Sequence, residues 1–255
     1  MKRLEITTKI GCKNKCSYCP QDLLIKSYTD EKKIMSFEDF KSIMANVPKN
    51  VGIDFSGFSE AFLNPESSLM MKWSINNGYE TILYTTLEGF NENDANVLKD
   101  VVFTDVVFHA YDGKSFNQER FNKNRNLFEA SIRSKGKFRL AIIQSKDKTK
   151  HGLDLWSRGG NLFDITPTNG PVFCSSAPED FNHNVVLPNG DVVICCMDYG
   201  LKHILGNLHK TSYDKLNRKD ITDLSNKRVS DLICRTCELC KQRYEIRVGG
   251  IPIKF

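Results

Sequence analysis

The sequence predicts an α/β protein: a partial (β/α)6 barrel on a mostly parallel sheet over residues 1–168, followed by a small cysteine-rich α+β extension over residues 169–255. Three observations carry this expectation. Strand-like and helix-like segments alternate from residue 3 to about residue 166, the pattern of a parallel sheet with crossover helices. The alternation breaks after Thr166, where PTNGPVFC leads into hairpin patterning. Nine cysteines collect at the two ends of the chain, at 12, 16 and 19 and then at 174, 195, 196, 234, 237 and 240.

The elements follow in order. RLEITT (3–8) reads as the first strand. Ser36 opens a helix with Asp39 as capping-box partner, and Phe37, Phe40, Ile43, Met44 and Val47 share one helical face. VGIDF (51–55) is a short buried strand, and residues 66–77 a helix stopped by Gly78. YETILYTT (79–86) is a strand and 91–99 a helix. DVVFHA (105–110) is a strand and 119–134 a helix. FRLAIIQ (138–144) and NLFDIT (161–166) complete six strands. In such a fold the functional groups belong on loops after the strands, and the first cysteine group follows the first strand. In the extension, Asn189-Gly190 sits between two β-branched runs and predicts a hairpin, and 221–231 predicts a short helix before CRTCELC.

Composition excludes several classes. Hydrophobic residues are 40% and charged residues 26%, too apolar for a disordered chain. No apolar run approaches the roughly 18–20 residues of a membrane span, and MKRLEITTKIGC has no signal-peptide core. The expected setting is cytoplasmic, with no membrane partner. Net charge is +5 with the basic residues scattered among acids, which argues against a nucleic-acid footprint. An odd number of cysteines without an export signal argues against a disulfide framework, and clustered thiols in a reducing compartment point to metal.

CKNKCSYC (12–19) places three thiols on one short loop. Three thiolates can hold three irons of a cubane and leave the fourth open to a ligand. This segment, with Tyr18 just before the third cysteine, resembles the signature of radical S-adenosylmethionine (SAM) enzymes. The resemblance implies a 4Fe–4S cluster on Cys12, Cys16 and Cys19, with SAM on the open iron. It also implies reductive cleavage of SAM to a 5′-deoxyadenosyl radical that abstracts hydrogen from substrate, and an external one-electron donor of flavodoxin or ferredoxin type. IDFSGFSEAFLNPE (53–66) is similar to the family's glycine- and glutamate-containing segment near the methionine end of SAM. Gly57 and Glu60 match that pattern; Ser59 stands where glycine is usual and Ala61 where proline is usual. The strand ends offer Thr85 or Thr86, His109 with Asp112, and Gln144 as further cofactor contacts. WSRGGN (156–161) resembles a segment of related aminocyclitol dehydrogenases whose arginine faces the substrate, which gives Arg158 a catalytic role.

Cys174, then fifteen residues, Gly190, four residues and Cys195 resemble the opening of the SPASM or twitch extension. A full SPASM extension needs about seven cysteines for two clusters, and six remain here. The shorter twitch form implies one auxiliary 4Fe–4S cluster on Cys174, Cys195, Cys234 and Cys237, with Cys240 as the competing ligand. Cys196 is expected to point away from Cys195. With the first strand starting by residue 3, no peptide-recognition domain is expected before the barrel, which resembles the small aminocyclitol dehydrogenases. The expected activity is oxidation of a small polar substrate such as a sugar or cyclitol, with an electron passing to the auxiliary cluster. A peptide-modifying maturase or epimerase is the second reading. A zinc-binding or electron-carrier protein is the non-enzymatic one, distinguished by metal content.

Overall fold

The computed structural model describes residues 2–110, 117–142, 156–177, 181–242, 246–248 and 251–253. The N-terminal part runs β1 (Arg3–Ile6), α1 (Gln21–Ser27), α2 (Phe37–Met44), β2 (Gly52–Phe55), α3 (Ser67–Asn76), β3 (Thr81–Thr85), α4 (Glu92–Leu98), β4 (Val102–Phe103), β5 (Asp105–Ala110), α5 (Gln118–Ser131), β6 (Arg133–Ser134) and β7 (Arg139–Ile142). The C-terminal part runs β8 (Val172–Cys174), β9 (His183–Val186), β10 (Asp191–Val193), β11 (Ile204–Asn207), α6 (Lys219–Asn226), β12 (Cys240–Gln242), β13 (Ile246–Val248) and β14 (Ile251–Ile253). Among the described residues no helix is long and apolar enough to cross a membrane.

Among the described residues the main sheet has eight strands in the order β11-β10-β9-β1-β2-β3-β5-β7. The five from the N-terminal part are parallel, as the strand–helix alternation predicts. The expected sixth strand, NLFDIT, is not a strand: residues 161–166 form turn and irregular chain, with Phe163 exposed. An apolar run carries no pairing information of its own, and among the described residues β7 is the last strand on that side of the sheet. On the other side, β9 of the extension pairs parallel with β1, Arg3 opposite His183 and Ile6 opposite Val186. The sheet therefore continues from barrel into extension without a break. The hairpin predicted at Asn189-Gly190 is present, joining β9 and β10 antiparallel.

Period-two alternation gives the sheet two chemically distinct faces. Leu4, Ile6, Ile53, Phe55, Leu83, Val106 and Phe108 join one buried core with Phe40, Ile43, Met70, Leu98 and Phe128 of the helices. The alternate residues Glu5, Asp54, Tyr84 and His109 line a cavity on the opposite face. Charge on alternate positions of buried strands thus marks the inner wall of the barrel.

Local chemistry sets the helix ends. Ser36 caps α2 and Asp39 returns the bond, the predicted capping box, and Asn91 with Asp94 does the same for α4. Gly78, just past α3, takes φ +79°. At the junction of barrel and extension, the buried Tyr213 hydroxyl lies 3.3 Å from the Arg3 carbonyl, 3.0 Å from the Asn182 carbonyl and 3.1 Å from Asn184 Oδ1.

Candidate functional site

The loop after β1 brings Cys12, Cys16 and Cys19 to the rim of a cavity of about 280 Å³. Several side chains hold that loop. Asn14 Nδ2 donates to Thr86 Oγ1 at 2.9 Å. Lys13 lies 3.0 Å from the buried Glu88 carboxylate, which Arg120 of α5 also engages. Cys19 Sγ is 3.6 Å from the Tyr199 hydroxyl and accepts from Gln21 Nε2 at 3.4 Å. Gln21 Nε2 also donates to the Phe58 carbonyl, and the Phe58 ring lies 4.7 Å from that of Tyr199.

The segment after β2 lies beside this loop. Gly57 has φ +43°, and a Cβ there would sit 2.5 Å from Thr7 Oγ1 and 2.7 Å from the Ile6 carbonyl oxygen. Only glycine lets the chain pass β1 so closely. Ser59 Oγ donates to the Lys9 carbonyl at 2.7 Å. Glu60 is buried and tightly engaged. Its Oε1 accepts from Thr85 Oγ1 at 2.7 Å and Phe62 N at 3.2 Å; its Oε2 accepts from Thr86 N at 2.6 Å and Thr86 Oγ1 at 2.7 Å. Four donors fill the usual capacity of a carboxylate. Burial nevertheless dominates and pushes its pKa up, against the hydrogen bonds of the two threonines. Glu60 and Thr85 therefore join the second- and third-strand loops at the cavity edge.

His109 faces the cavity with its ring 5.7 Å from Tyr84. Burial and the nearby Arg158 cation pull its pKa down to about 4, so it is neutral near pH 7. Arg158 has φ +55°. Its guanidinium lies 5.5 Å over the Tyr18 ring, and its Nε donates to the Tyr18 carbonyl at 3.3 Å. No carboxylate pairs with it among the described residues; the groups around it are Tyr199, Cys196, Cys19 and Tyr18. A half-buried guanidinium with no carboxylate partner among the described residues can bind an oxygen-rich ligand. Gln144 and Asp112 lie outside the described residues.

Behind the first cavity is a second, of about 110 Å³, walled by apolar side chains and by Cys174, Cys195, Cys196, Cys234, Cys237 and Cys240. Cys174 and Cys240 face each other across the β8–β12 ladder. Cys240 is in side-chain contact with Cys174, Cys234 and Cys237, and this contact holds the Cys174 thiol down at about 6. The competing ligand of the sequence reading thus lies at the middle of the cysteine group, with the half-buried Cys195 near Cys234 and Cys237. Cys196 lies in the turn after β10 rather than on an extended strand, and its side chain meets Glu5. The buried Arg235 guanidinium staples this loop, donating to the carbonyls of Thr168 at 2.7 Å and Gly170 at 2.8 Å. Thr236 Oγ1 donates to the Gly159 carbonyl at 2.7 Å, and Ser157 N donates to Glu238. Arg158 is therefore held between the two cysteine groups.

No three His, Cys, Asp or Glu side chains among the described residues are arranged around a single metal ion. Thiols instead line two cavities, the second with mostly apolar walls, and all-sulfur donor sets fit iron–sulfur groups. The sequence reading missed Glu5, Asp54, Tyr84, His183 and Tyr199. The charged residues within buried strands were the available signal.

Comparison with known proteins agrees with this geometry. Residues 174–241 match the SPASM iron–sulfur cluster-binding domain, so the C-terminal part carries that domain. No curated protein matches the chain. The fold matches that of BtrN in complex with AdoMet and 2-DOIA, with TM-score 0.64 and 16% identity over 95% of this chain and 93% of that one. It matches anSMEcpe with bound AdoMet and Kp18Cys peptide, with TM-score 0.55 and 16% identity over 92% and 86%. It also matches Streptococcus suis SuiB bound to precursor peptide SuiA, with TM-score 0.58 and 12% identity over 93% and 69%.

Proposed function

We propose that this protein is a radical SAM oxidoreductase that oxidises an alcohol carbon of a small polar substrate, a sugar or cyclitol. The observation that carries the reading is the pair of thiol-lined cavities with Arg158, which has no carboxylate partner among the described residues, beside them. Once bound, a 4Fe–4S cluster with SAM supplies a 5′-deoxyadenosyl radical, and an auxiliary cluster supplies an electron acceptor. Cys12, Cys16 and Cys19 would hold the first group. Four of Cys174, Cys195, Cys234, Cys237 and Cys240 would hold the second.

The chain's own part is to position and to exclude water. Gly57, Ser59 and Glu60 close one side of the SAM-sized space, with Thr85 and His109 on the strand ends above it. Tyr18, Phe58 and Tyr199 shield the first thiol loop. Arg158 grips substrate oxygens so that one C–H faces the reactive carbon.

The test is anaerobic incubation with SAM, a reductant and candidate alcohols. 5′-Deoxyadenosine and a carbonyl product are expected in equal amounts. Deoxyadenosine without a carbonyl overturns the dehydrogenase reading, and stoichiometric zinc with no iron overturns the radical reading altogether. Arg158→Ala is expected to lower kcat/KM for the alcohol by about 10²-fold, with Arg158→Lys no better than about tenfold below wild type, because lysine lacks the planar fork. Peptide modification is the second reading, favoured by the likeness to anSMEcpe and SuiB, both solved with peptides.

A further inference from the structure

Three side chains belong to both cavities: Glu5 of β1, His183 of β9 and Cys196 of the turn after β10. They form the partition between the substrate space and the auxiliary cysteines. Glu5 is the buried carboxylate of the three, 6% exposed. His183 Nε2 lies 3.0 Å from Oε1, Ser56 Oγ donates to Oε2 at 2.8 Å, and the Cys196 thiol makes a third contact. A carboxylate offers about four acceptor positions, so one remains. The neighbouring Asp54 lines only the first cavity, and Arg3 engages both of its oxygens.

We propose that Glu5 is the base that accepts the substrate's hydroxyl proton as the alcohol is oxidised. The assignment rests on the dehydrogenase reading above. The step balances as follows. The hydrogen atom on carbon leaves to the deoxyadenosyl radical, the hydroxyl proton passes to Glu5, and the remaining electron passes to the auxiliary iron–sulfur group as the C=O bond forms. A C–O group lying against the shared partition would border the cavity of the auxiliary cysteines, and Glu5 is the carboxylate there. His109, Asp54 and Glu60, which also line the substrate cavity, do not border the second cavity. Glu5 also suits the task electrically. Burial alone would raise its pKa, but the His183 cation and the Ser56 hydroxyl outweigh this and keep it ionised and ready to accept.

The test uses the iron-loaded holoenzyme, wild type and Glu5→Gln, with a deuterated alcohol. Binding of the alcohol without reductant, read by calorimetry, is expected to change by no more than about threefold, because the amide keeps the shape and a hydrogen-bonding oxygen. With reductant, Glu5→Gln is expected still to form deuterated deoxyadenosine, while the ratio of ketone to deoxyadenosine falls at least about tenfold. A substrate-carbon radical should then accumulate and be visible by electron paramagnetic resonance. Glu5→Asp should recover part of the ratio, and it serves as the reading variant if Glu5→Gln fails to take up iron. An undiminished ratio overturns the proposal whatever happens to binding. A wild-type enzyme that forms no ketone overturns the dehydrogenase reading and this proposal together, whereas a productive wild type with an equally productive Glu5→Gln overturns this proposal alone.

Discussion

Glu60 and the Glu5–His183 pair show how differently two buried carboxylates can be used. Glu60 is saturated by Thr85, Thr86 and Phe62. Glu60→Ala leaves those donors unsatisfied and is expected to cost about 3 kcal/mol of stability, measured by denaturant unfolding. If it loses SAM affinity with stability unchanged, its carboxylate contacts the cofactor instead. The Glu5–His183 pair gives stability a pH dependence. The His183 pKa is raised above 6.5 by the Glu5 carboxylate, against the pull of burial. Its contribution is complete below about pH 6.5 and fades as pH rises through the folded value. The Glu5 pKa is lowered below 4.5, so its contribution is present above about pH 4.5 and is lost as pH falls through its folded value. The melting-temperature advantage of wild type over His183→Asn should therefore be largest at about pH 5–6 and shrink toward about pH 8. An advantage that grows over that range contradicts the ion pair.

Among the elements, those with strong local chemistry were legible in the sequence. Ser36 with Asp39, Gly78, and Asn189-Gly190 each fix a helix end or a turn through contacts within a few residues. Ser36→Ala should cost about 1 kcal/mol in unfolding free energy without altering the optical spectrum of a bound cluster. Gly190 has φ +86°, and a Cβ there would lie 2.4 Å from His209 Cδ2. Gly190→Ala is expected to destabilise by more than about 1 kcal/mol, and to lower auxiliary iron content because β10 leads directly to Cys195. Unfolding and iron analysis check both effects. NLFDIT has the apolar residues of a strand and forms none, because those residues alone cannot say whether a neighbouring strand accepts them. The thiol groups and Arg158 were visible as spacing. The roles of Cys240 and Glu5 were not, because they depend on which strands become neighbours: β12 beside β8, and β9 beside β1.

At the scale of the whole molecule, barrel and extension share one sheet and one buried core. Thermal unfolding of the full chain is therefore expected as a single transition, and a 1–168 fragment should associate through the bare edge of β1. Two resolved calorimetric transitions would contradict this. Tyr213→Phe, which removes a hydroxyl shared by β1 and the extension, should lower the melting temperature while keeping one transition. The β1–β9 pairing also has a consequence for synthesis. β1 is flanked on one side by residues 52–54, but its other flank is residues 183–186, made about 180 residues later. For most of translation it carries an open row of amides and carbonyls while the cysteine loop beside it is already outside the tunnel. The first cysteine loop is thus made early and enclosed late, so the proposed cluster would be delivered before the polypeptide closes over it.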